Sequence, residues 1–233
     1  MIALAILGGA DSMMGVSFAA GKGGGTLSVP IQITLVLTAL TFLPAAIMSL
    51  TPFLRITVVL HFLRQALGTQ TTPSNQVLVG LALFLSLLIM KPVASEMYTL
   101  GWEPLEKGQV SMDKALEDGS KPLKTFLLRF TREKDIALFL EITHAKVPNS
   151  RADLDLRILM PAYILSELKA GFQIGAVLFL PFLVIDLVVA SVTLSIGMVQ
   201  LPPVMLSAPF KILLFVLVDG WNLVIGSLVR SFY

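Results

Sequence analysis

Apolar residues run through this chain in long blocks, and polar residues gather in one segment. From Gly23 to Leu54 no charge interrupts 32 residues, and Leu27–Leu50 within them is long enough to cross a bilayer as a helix. Pro30 lies near its start and Pro44 well inside, so a kink is expected where Pro44 withholds a hydrogen bond. Thr51-Pro52-Phe53 interrupts the pattern, and an apolar stretch carrying Arg55, His61 and Arg64 then reaches Leu67. Gly68 to Asn75 is a turn-rich break. The next run, Val77–Met90, has 14 residues before Lys91-Pro92. At about 1.5 Å per residue it covers roughly 21 Å, short of a hydrocarbon core of about 30 Å. Either it extends through Val93 and Ala94 while Lys91 snorkels, or it packs against other protein.

Residues 95–157 follow a different rule. Ser111 is placed to cap a short helix that stops at Gly119. Leu123, Phe126, Leu127 and Phe130 recur at i, i+3, i+4 and i+7, and Ile136, Phe139 and Leu140 continue beyond a charged cluster. This is a small helical layer with one apolar face. The last third is apolar again: Ala170–Phe210 holds one charge, Asp186, and Ile212–Val229 holds one, Asp219. Between them Gly197 to Pro203 forms a Pro-terminated connection, which predicts a helical hairpin. Phe42-Leu43-Pro44 and Phe179-Leu180-Pro181 echo each other without making a repeat.

Composition sharpens the reading. Hydrophobic residues make up 55% of the chain and charged ones 14%, with mean hydropathy +0.85; a soluble domain carries about 25% charged residues. Residues 95–157 hold 10 of the 17 Lys/Arg and 11 of the 15 Asp/Glu. A polar domain is therefore inserted into a nearly uncharged membrane protein. Four segments result: 1–26, a signal-like and flexible start; 27–94, a first apolar hairpin region; 95–157, the polar insert; and 158–233, a second apolar hairpin region. The first ten residues suit the apolar part of a signal peptide, with Ser17-Phe18-Ala19 resembling a cleavage site. Net charge is +2, and basic residues are interleaved with acids, so no face for nucleic acid emerges. With no cysteine, disulfides and thiolate chemistry are excluded.

Candidate chemistry is sparse. Asp186 and Asp219 lie near the middle of apolar segments, where a lipid-facing carboxylate costs about 2.5–3.5 kcal/mol on insertion scales. One reading makes them the site of an ion-coupled small-solute transporter. The plainer reading buries them against basic partners among Arg55, Arg64, Lys91 and Lys211. His61 and His144 lack metal-ligand spacing, no serine sits in a Gly-x-Ser-x-Gly turn, and no cofactor or enzymatic activity is expected. Gly171-x-x-x-Gly175 is a small-residue signal for close helix approach.

Several stretches resemble a known family. Thr41-Phe-Leu-Pro44, Thr51-Pro-Phe-Leu-Arg55 and Asn75 to Phe84 are similar to the first half of the FliP family of flagellar export-gate proteins. Pro161-Ala-Tyr-Ile-Leu-Ser-Glu-Leu-Lys-Ala-Gly-Phe-Gln-Ile-Gly175 resembles its most diagnostic run. Phe182 to Asp186 and Phe215 to Trp221 resemble its hydrophobic hairpin. The resemblance covers roughly residues 35–233. Injectisome paralogues share the architecture, while Thr131-Arg-Glu-Lys-Asp135 and Gly226 to Phe232 look more like the flagellar branch.

The resemblance implies an all-α membrane protein of Pro-kinked apolar hairpins with a helical polar insert, packed in a hetero-oligomeric export gate. It implies a non-enzymatic pore subunit in several copies, assembled with FliQ and FliR and served by FlhA and FlhB. Unfolded flagellar proteins thread such a pore. The place implied is the bacterial inner membrane at the flagellar basal body, in contact with lipid, with the insert on the periplasmic side. Met198, Val199, Gln200 and Leu201 occupy the family's constriction loop, where consecutive methionines are usual and only Met198 stands here. Gly197 before them and Pro202-Pro203 after them independently place these four residues at a hairpin tip. Glu167, just before the uncharged Ala170–Ile185 stretch, needs a partner if buried; Arg132 is the expected one.

Orientation follows from the same pattern. With a cleaved signal the mature chain begins outside, and Arg55 and Arg64 fall toward the cytoplasm, in line with the positive-inside tendency. A phosphatase fused at about residue 120 is expected to be active and one near Gln70 inactive; the opposite pair of activities reverses this topology.

Overall fold

The structure, a computed structural model, describes residues 4–5, 17–18, 29–69, 71–148, 150–197 and 202–233. It divides into two units, Met1–Ile47 and Met48–Tyr233. In the first, two short strands, β1 (Leu4–Ala5) and β2 (Ser17–Phe18), pair antiparallel with Leu4 opposite Phe18. Most of the signal-like segment lies outside the described residues. Helix α1 (Val29–Ser49) begins in this unit and accommodates Pro44 in its interior. Thr34, Thr38 and Thr41 donate to the carbonyls of Pro30, Thr34 and Thr38 at 2.8, 2.7 and 2.7 Å. Each hydroxyl is thus satisfied one turn back, which an apolar surrounding requires.

The second unit contains α2 (Phe53–Ala66), α3 (Asn75–Met97), α4 (Glu103–Glu106), α5 (Met112–Phe130), α6 (Glu133–Ile142), α7 (Leu156–Ser195), α8 (Pro203–Leu217) and α9 (Gly220–Arg230). A π-helical turn, Tyr98–Trp102, joins α3 to α4. Helix α2 is the centre of the core. Its Ile56, Val59, Leu60, Leu63 and Ala66 are fully buried at helical spacing. They form one core cluster with Leu159, Ala162 and Tyr163 of α7, Leu78 and Ala82 of α3, and Phe126 and Leu127 of α5. The pairing of α2 with α7 is the most extensive helix contact in the unit. The predicted apolar face of the insert is present: Phe126, Leu127 and Ile136 are buried, with Leu123, Phe130, Phe139 and Leu140 packed against them. Its outer charges form local pairs such as Lys121 with Asp118, and Lys107 with Glu103. The hydrogen bond from Lys121 holds the Asp118 carboxyl below its usual range and raises the Lys121 ammonium; in full solvent such pairs contribute little.

Two expectations change, and one open alternative is settled. Gly119 does not end a helix, because α5 runs unbroken from Met112 to Phe130 through both Gly119 and Pro122. Its lack of a side chain serves packing: a Cβ on Gly101 would stand 2.8 Å from the Gly119 Cα and the Ala115 carbonyl oxygen. At Lys91-Pro92 the helix continues, which is the first of the two alternatives, and the helical segment from Asn75 to Glu106 reaches 32 residues, long and apolar enough to span a membrane. The stretch Ile212–Val229 is not one helix. It breaks at Asp219, whose φ of 52° is left-handed, and α8 and α9 meet at 67°.

Pro30–Ser49, Asn75–Glu106 and Leu156–Ser195 are each long and apolar enough to cross a membrane, and α8 with α9 makes a fourth if counted as one broken span. Helix α7 is 40 residues long, about 60 Å at ~1.5 Å per residue, twice the thickness of a hydrocarbon core. Its buried residues cluster from Ile158 to Gly175, and beyond them only Phe182 and Thr193 are covered.

The small-residue signal is realised between α7 and α2. A Cβ on Gly171 would lie 3.0 Å from Val58, and one on Gly175 would lie 2.5 Å from the Phe62 ring. Phe62 also meets Phe172 edge to face at 5.4 Å. Substituting Gly175→Val is expected to destabilise the α2–α7 packing by about 1–3 kcal/mol, the usual range for overpacking. Adding Phe62→Ala should recover a measurable part of the loss in detergent thermal melts, because the clash is with that ring.

Candidate functional site

Two buried ion pairs organise the unit. Arg55 lies in the first turn of α2, and Glu167 lies on the α7 face that turns toward it, fully buried. The Arg55 guanidinium donates twice to this carboxylate, from Nε to Oε2 at 2.9 Å and from Nη2 to Oε1. Its Nη1 donates to Ser231 Oγ at 3.2 Å. Above and beside the guanidinium stand the rings of Phe232 and Phe130, 4.1 and 5.5 Å from Arg55 Cζ. One cation therefore joins α2, α5, α7 and the residues after α9. A bidentate contact with aromatic cover is the arrangement in which arginine tolerates burial best.

Arg132 is not the partner of Glu167. It pairs with Asp135 three residues on, Nη2 to Oδ2 at 2.7 Å, at the start of α6. Its backbone N–H donates to Ser166 Oγ at 3.1 Å, and that hydroxyl donates to Asp135. The expected neighbourhood is correct and the pairing is not. Successive residues of a helix point about 100° apart, so Ser166 faces α6 while Glu167 faces α2. Ser166 and Asp135, both buried, had escaped the sequence reading. Their signal was present as polar residues within an otherwise apolar helical face.

The second pair joins the other end of α2 to the apolar hairpin. Lys211 of α8, almost fully buried, donates to Asp186 Oδ2 of α7 at 2.6 Å and to the Ala66 carbonyl oxygen at 3.1 Å. Ser207, one turn before Lys211, donates to Asp186 Oδ1. Both carboxylate oxygens of Asp186 are thus engaged, and the ammonium also meets an end carbonyl of α2, where a cation is favourable. The remaining charges expected to be buried are not. Arg64 is half-buried, reaching the Pro73 carbonyl at 3.3 Å and His61 Nδ1 at 3.2 Å. Lys91 and Asp219 are exposed, because α3 turns Lys91 away from the core and Asp219 occupies the outward break between α8 and α9. Asp219 lies eight residues beyond Lys211, roughly 12 Å further along at ~1.5 Å per residue. The two carboxylates of the transporter reading are consequently at different levels of the hairpin.

Met198, Val199, Gln200 and Leu201 lie outside the described residues. Their flanks are described: α7 ends at Ser195, Gly197 takes a φ of 81° that suits glycine, and α8 starts at Pro203. Around them the surface is apolar. Leu187, Val188, Val192, Leu194 and Ile196 of the α7 end and Val204, Met205 and Phe210 of α8 are all more than half exposed. A soluble surface rarely presents so many exposed apolar side chains on two successive helices.

Buried ion pairs, exposed apolar helices long enough to span a membrane and a helical polar insert together define an all-α membrane protein. The chain belongs to the FliP family, whose pattern it matches over residues 36–228. It is 49% identical over 212 residues to the flagellar biosynthetic protein FliP of Pectobacterium carotovorum subsp. carotovorum, covering 91% of this chain and 82% of that one. Against the flagellar biosynthetic protein FliP of Bacillus subtilis it is 48% identical over 206 residues, covering 88% and 93%. The protein of that name from Buchnera aphidicola subsp. Acyrthosiphon pisum is 49% identical over 210 residues; 90% of this chain spans only 55% of that longer one.

Removing one member of a buried pair strands the other. Glu167→Leu alone is expected to cost about 3–5 kcal/mol, the usual penalty for an uncompensated buried charge, whereas Arg55→Met with Glu167→Leu should be nearer neutral. Arg132→Ala should leave the contribution of Glu167 intact. Detergent thermal melts of these three variants and of Arg55→Met alone check the assignment, and a loss for Arg132→Ala equal to that for Arg55→Met would return the pair to Arg132.

Proposed function

We propose that this chain is a pore-forming subunit of the flagellar type III protein export gate, conducting unfolded flagellar proteins across the bacterial inner membrane. Family membership over most of the chain carries the reading, since its curated relatives are named flagellar biosynthetic proteins. The exposed apolar surface of α7 and α8 supports it, because a subunit that packs against neighbours or lipid needs such a surface. In this reading several copies assemble with FliQ and FliR, with FlhA and FlhB alongside, at the flagellar basal body. The insert of residues 95–157 faces the periplasm. No step of bond-making is assigned to any residue; the work is steric and electrostatic.

The loop of Met198, Val199, Gln200 and Leu201 is assigned to the constriction. Hairpin tips arranged around an axis form a ring, and a ring of apolar side chains excludes water and ions by dewetting yet yields to a threaded polypeptide. Methionine is the most adaptable residue for such a seal. With Val199 and Gln200 in its place, the ring is stiffer and more polar. The buried pairs of Arg55 and Lys211 hold the helices that present the loop and are assigned a structural role.

Co-expression with FliQ and FliR and purification in mild detergent test membership of the gate: the three proteins should elute together. Shortening Met198, Val199 and Leu201 to Ala should raise ion conductance of the purified assembly in planar bilayers, and Val199→Met with Gln200→Met should lower it. Equal conductance in all three versions, with assembly verified, removes this loop from the seal.

A further inference from the structure

The outward face of α3 carries a graded stripe that the gate reading does not use. Leu78, Ala82, Ser86, Ile89 and Gly101 form the buried side of the segment. On the opposite side Val77, Phe84, Leu88, Lys91, Ser95, Tyr98 and Trp102 follow one another at helical spacing, all exposed. Phe84 is 73% exposed, and Tyr98 and Trp102 are about half exposed. The order along the stripe is apolar, then one cation, then two aromatic rings with polar tips. Both tips are turned to the same acid: Tyr98 Oη donates to Glu106 Oε2 at 3.3 Å and Trp102 Nε1 to Glu106 Oε1 at 2.7 Å.

We propose that this stripe is a lipid-contact surface that holds an anionic phospholipid, with Lys91 on its phosphate. Three observations fix the occupant. First, the apolar stretch from Val77 to Ala94 is 18 residues, about 27 Å at ~1.5 Å per residue, which matches a hydrocarbon core of roughly 30 Å. Polar Ser74, Asn75 and Gln76 bound it on one side and Ser95 and Glu96 on the other. Second, Lys91 lies one turn inside that boundary and has no hydrogen-bond or ion-pair partner among the described residues. Residues 77–95 contain no acid, so the stripe offers no compensation for it. A lysine there extends its ammonium along the helix to the headgroup level, where a phosphate supplies the missing charge. A protein neighbour would have to bring an acid into an otherwise apolar contact. Third, Tyr98 stands roughly 10 Å further along the axis than Lys91, about 6 Å past the apolar edge at Ala94, at the depth where amphipathic rings collect, and Trp102 follows about 6 Å beyond it on the aqueous side. The proposal holds whether or not the chain lines a pore.

Depth-dependent quenching tests it. Trp102 and Trp221 are the two tryptophans of the chain, so the full-length Trp221→Phe variant leaves Trp102 as the reporter. A second variant, with both replaced by Phe and Phe84→Trp added, reports from the apolar end. Each is reconstituted in vesicles of phosphatidylcholine and phosphatidylglycerol carrying a spin label high or low on the acyl chain. Trp102 should be quenched more by the shallow label and the residue-84 reporter more by the deep one. Spin-labelled phosphatidylglycerol should associate with the wild-type protein about twofold more than phosphatidylcholine; Lys91→Arg should keep the preference and Lys91→Gln remove it. The quenching is repeated in the assembly purified with its partner subunits. Quenching lost there shows that a neighbouring protein covers the stripe and overturns the proposal, as does an unchanged phosphatidylglycerol preference in Lys91→Gln. Loss of gate assembly with quenching intact would overturn the pore reading alone.

Discussion

The bidentate contact between Arg55 and Glu167 is the constraint on which the second unit depends. A buried guanidinium and carboxylate each lose several kcal/mol of hydration, which their attraction offsets only when their geometry is complete. Completing it here requires α2 and α7 to be in register, Ser231 to follow α9, and Phe130 and Phe232 to close over the cation. The glycines at 171 and 175 bring the helices near enough for the contact to form. Such a pair is weak evidence for stability, since apolar residues of the same shape would serve as well. It is good evidence that one helix register is selected over its neighbours.

The same logic recurs at the other end of α2, with a different cation. Lys211 is a compact charge that meets one carboxylate, Asp186, and one backbone carbonyl. Arg55 spreads its charge over a carboxylate, a hydroxyl and two rings. Together the two pairs fasten α2 at both ends, to α7 near its start and to the α7–α8 hairpin near its finish. Helix α2 is too short and too rich in cations to be an ordinary span, and its place is that of an internal strut.

The sequence made some of this legible. The apolar blocks, the polar insert and the apolar face of α5 followed from periodicity, and the family was carried by ordered motifs. The wrong partner for Glu167 came from a helix-face problem: Ser166 and Glu167 are adjacent, and only three-dimensional packing decides which faces α6 and which α2. The break misread at Gly119 and the helix end left open at Lys91-Pro92 have a common cause. Glycine and proline interrupt isolated helices, but close packing compensates the lost propensity, and Pro92 and Pro122 sit inside helices with core contacts on the opposite turns. Conversely, the real break at Asp219 had no proline to announce it, and a non-glycine residue with φ of 52° is uncommon enough that sequence pattern seldom finds it.

Gly101 and Gly119 meet backbone to backbone, with no layer of side chains between them. Side chains usually act as cushions, since rotamers can shift and absorb small displacements of one helix past another. Here that cushion is missing. A push on α5 is handed to the turn after α3 without damping, and the polar insert behaves as a lever mounted directly on the helix that enters the apolar layer. Alanine at Gly101 would wedge the two apart and loosen the lever on its axle, and alanine at Gly119 would press on the same contact.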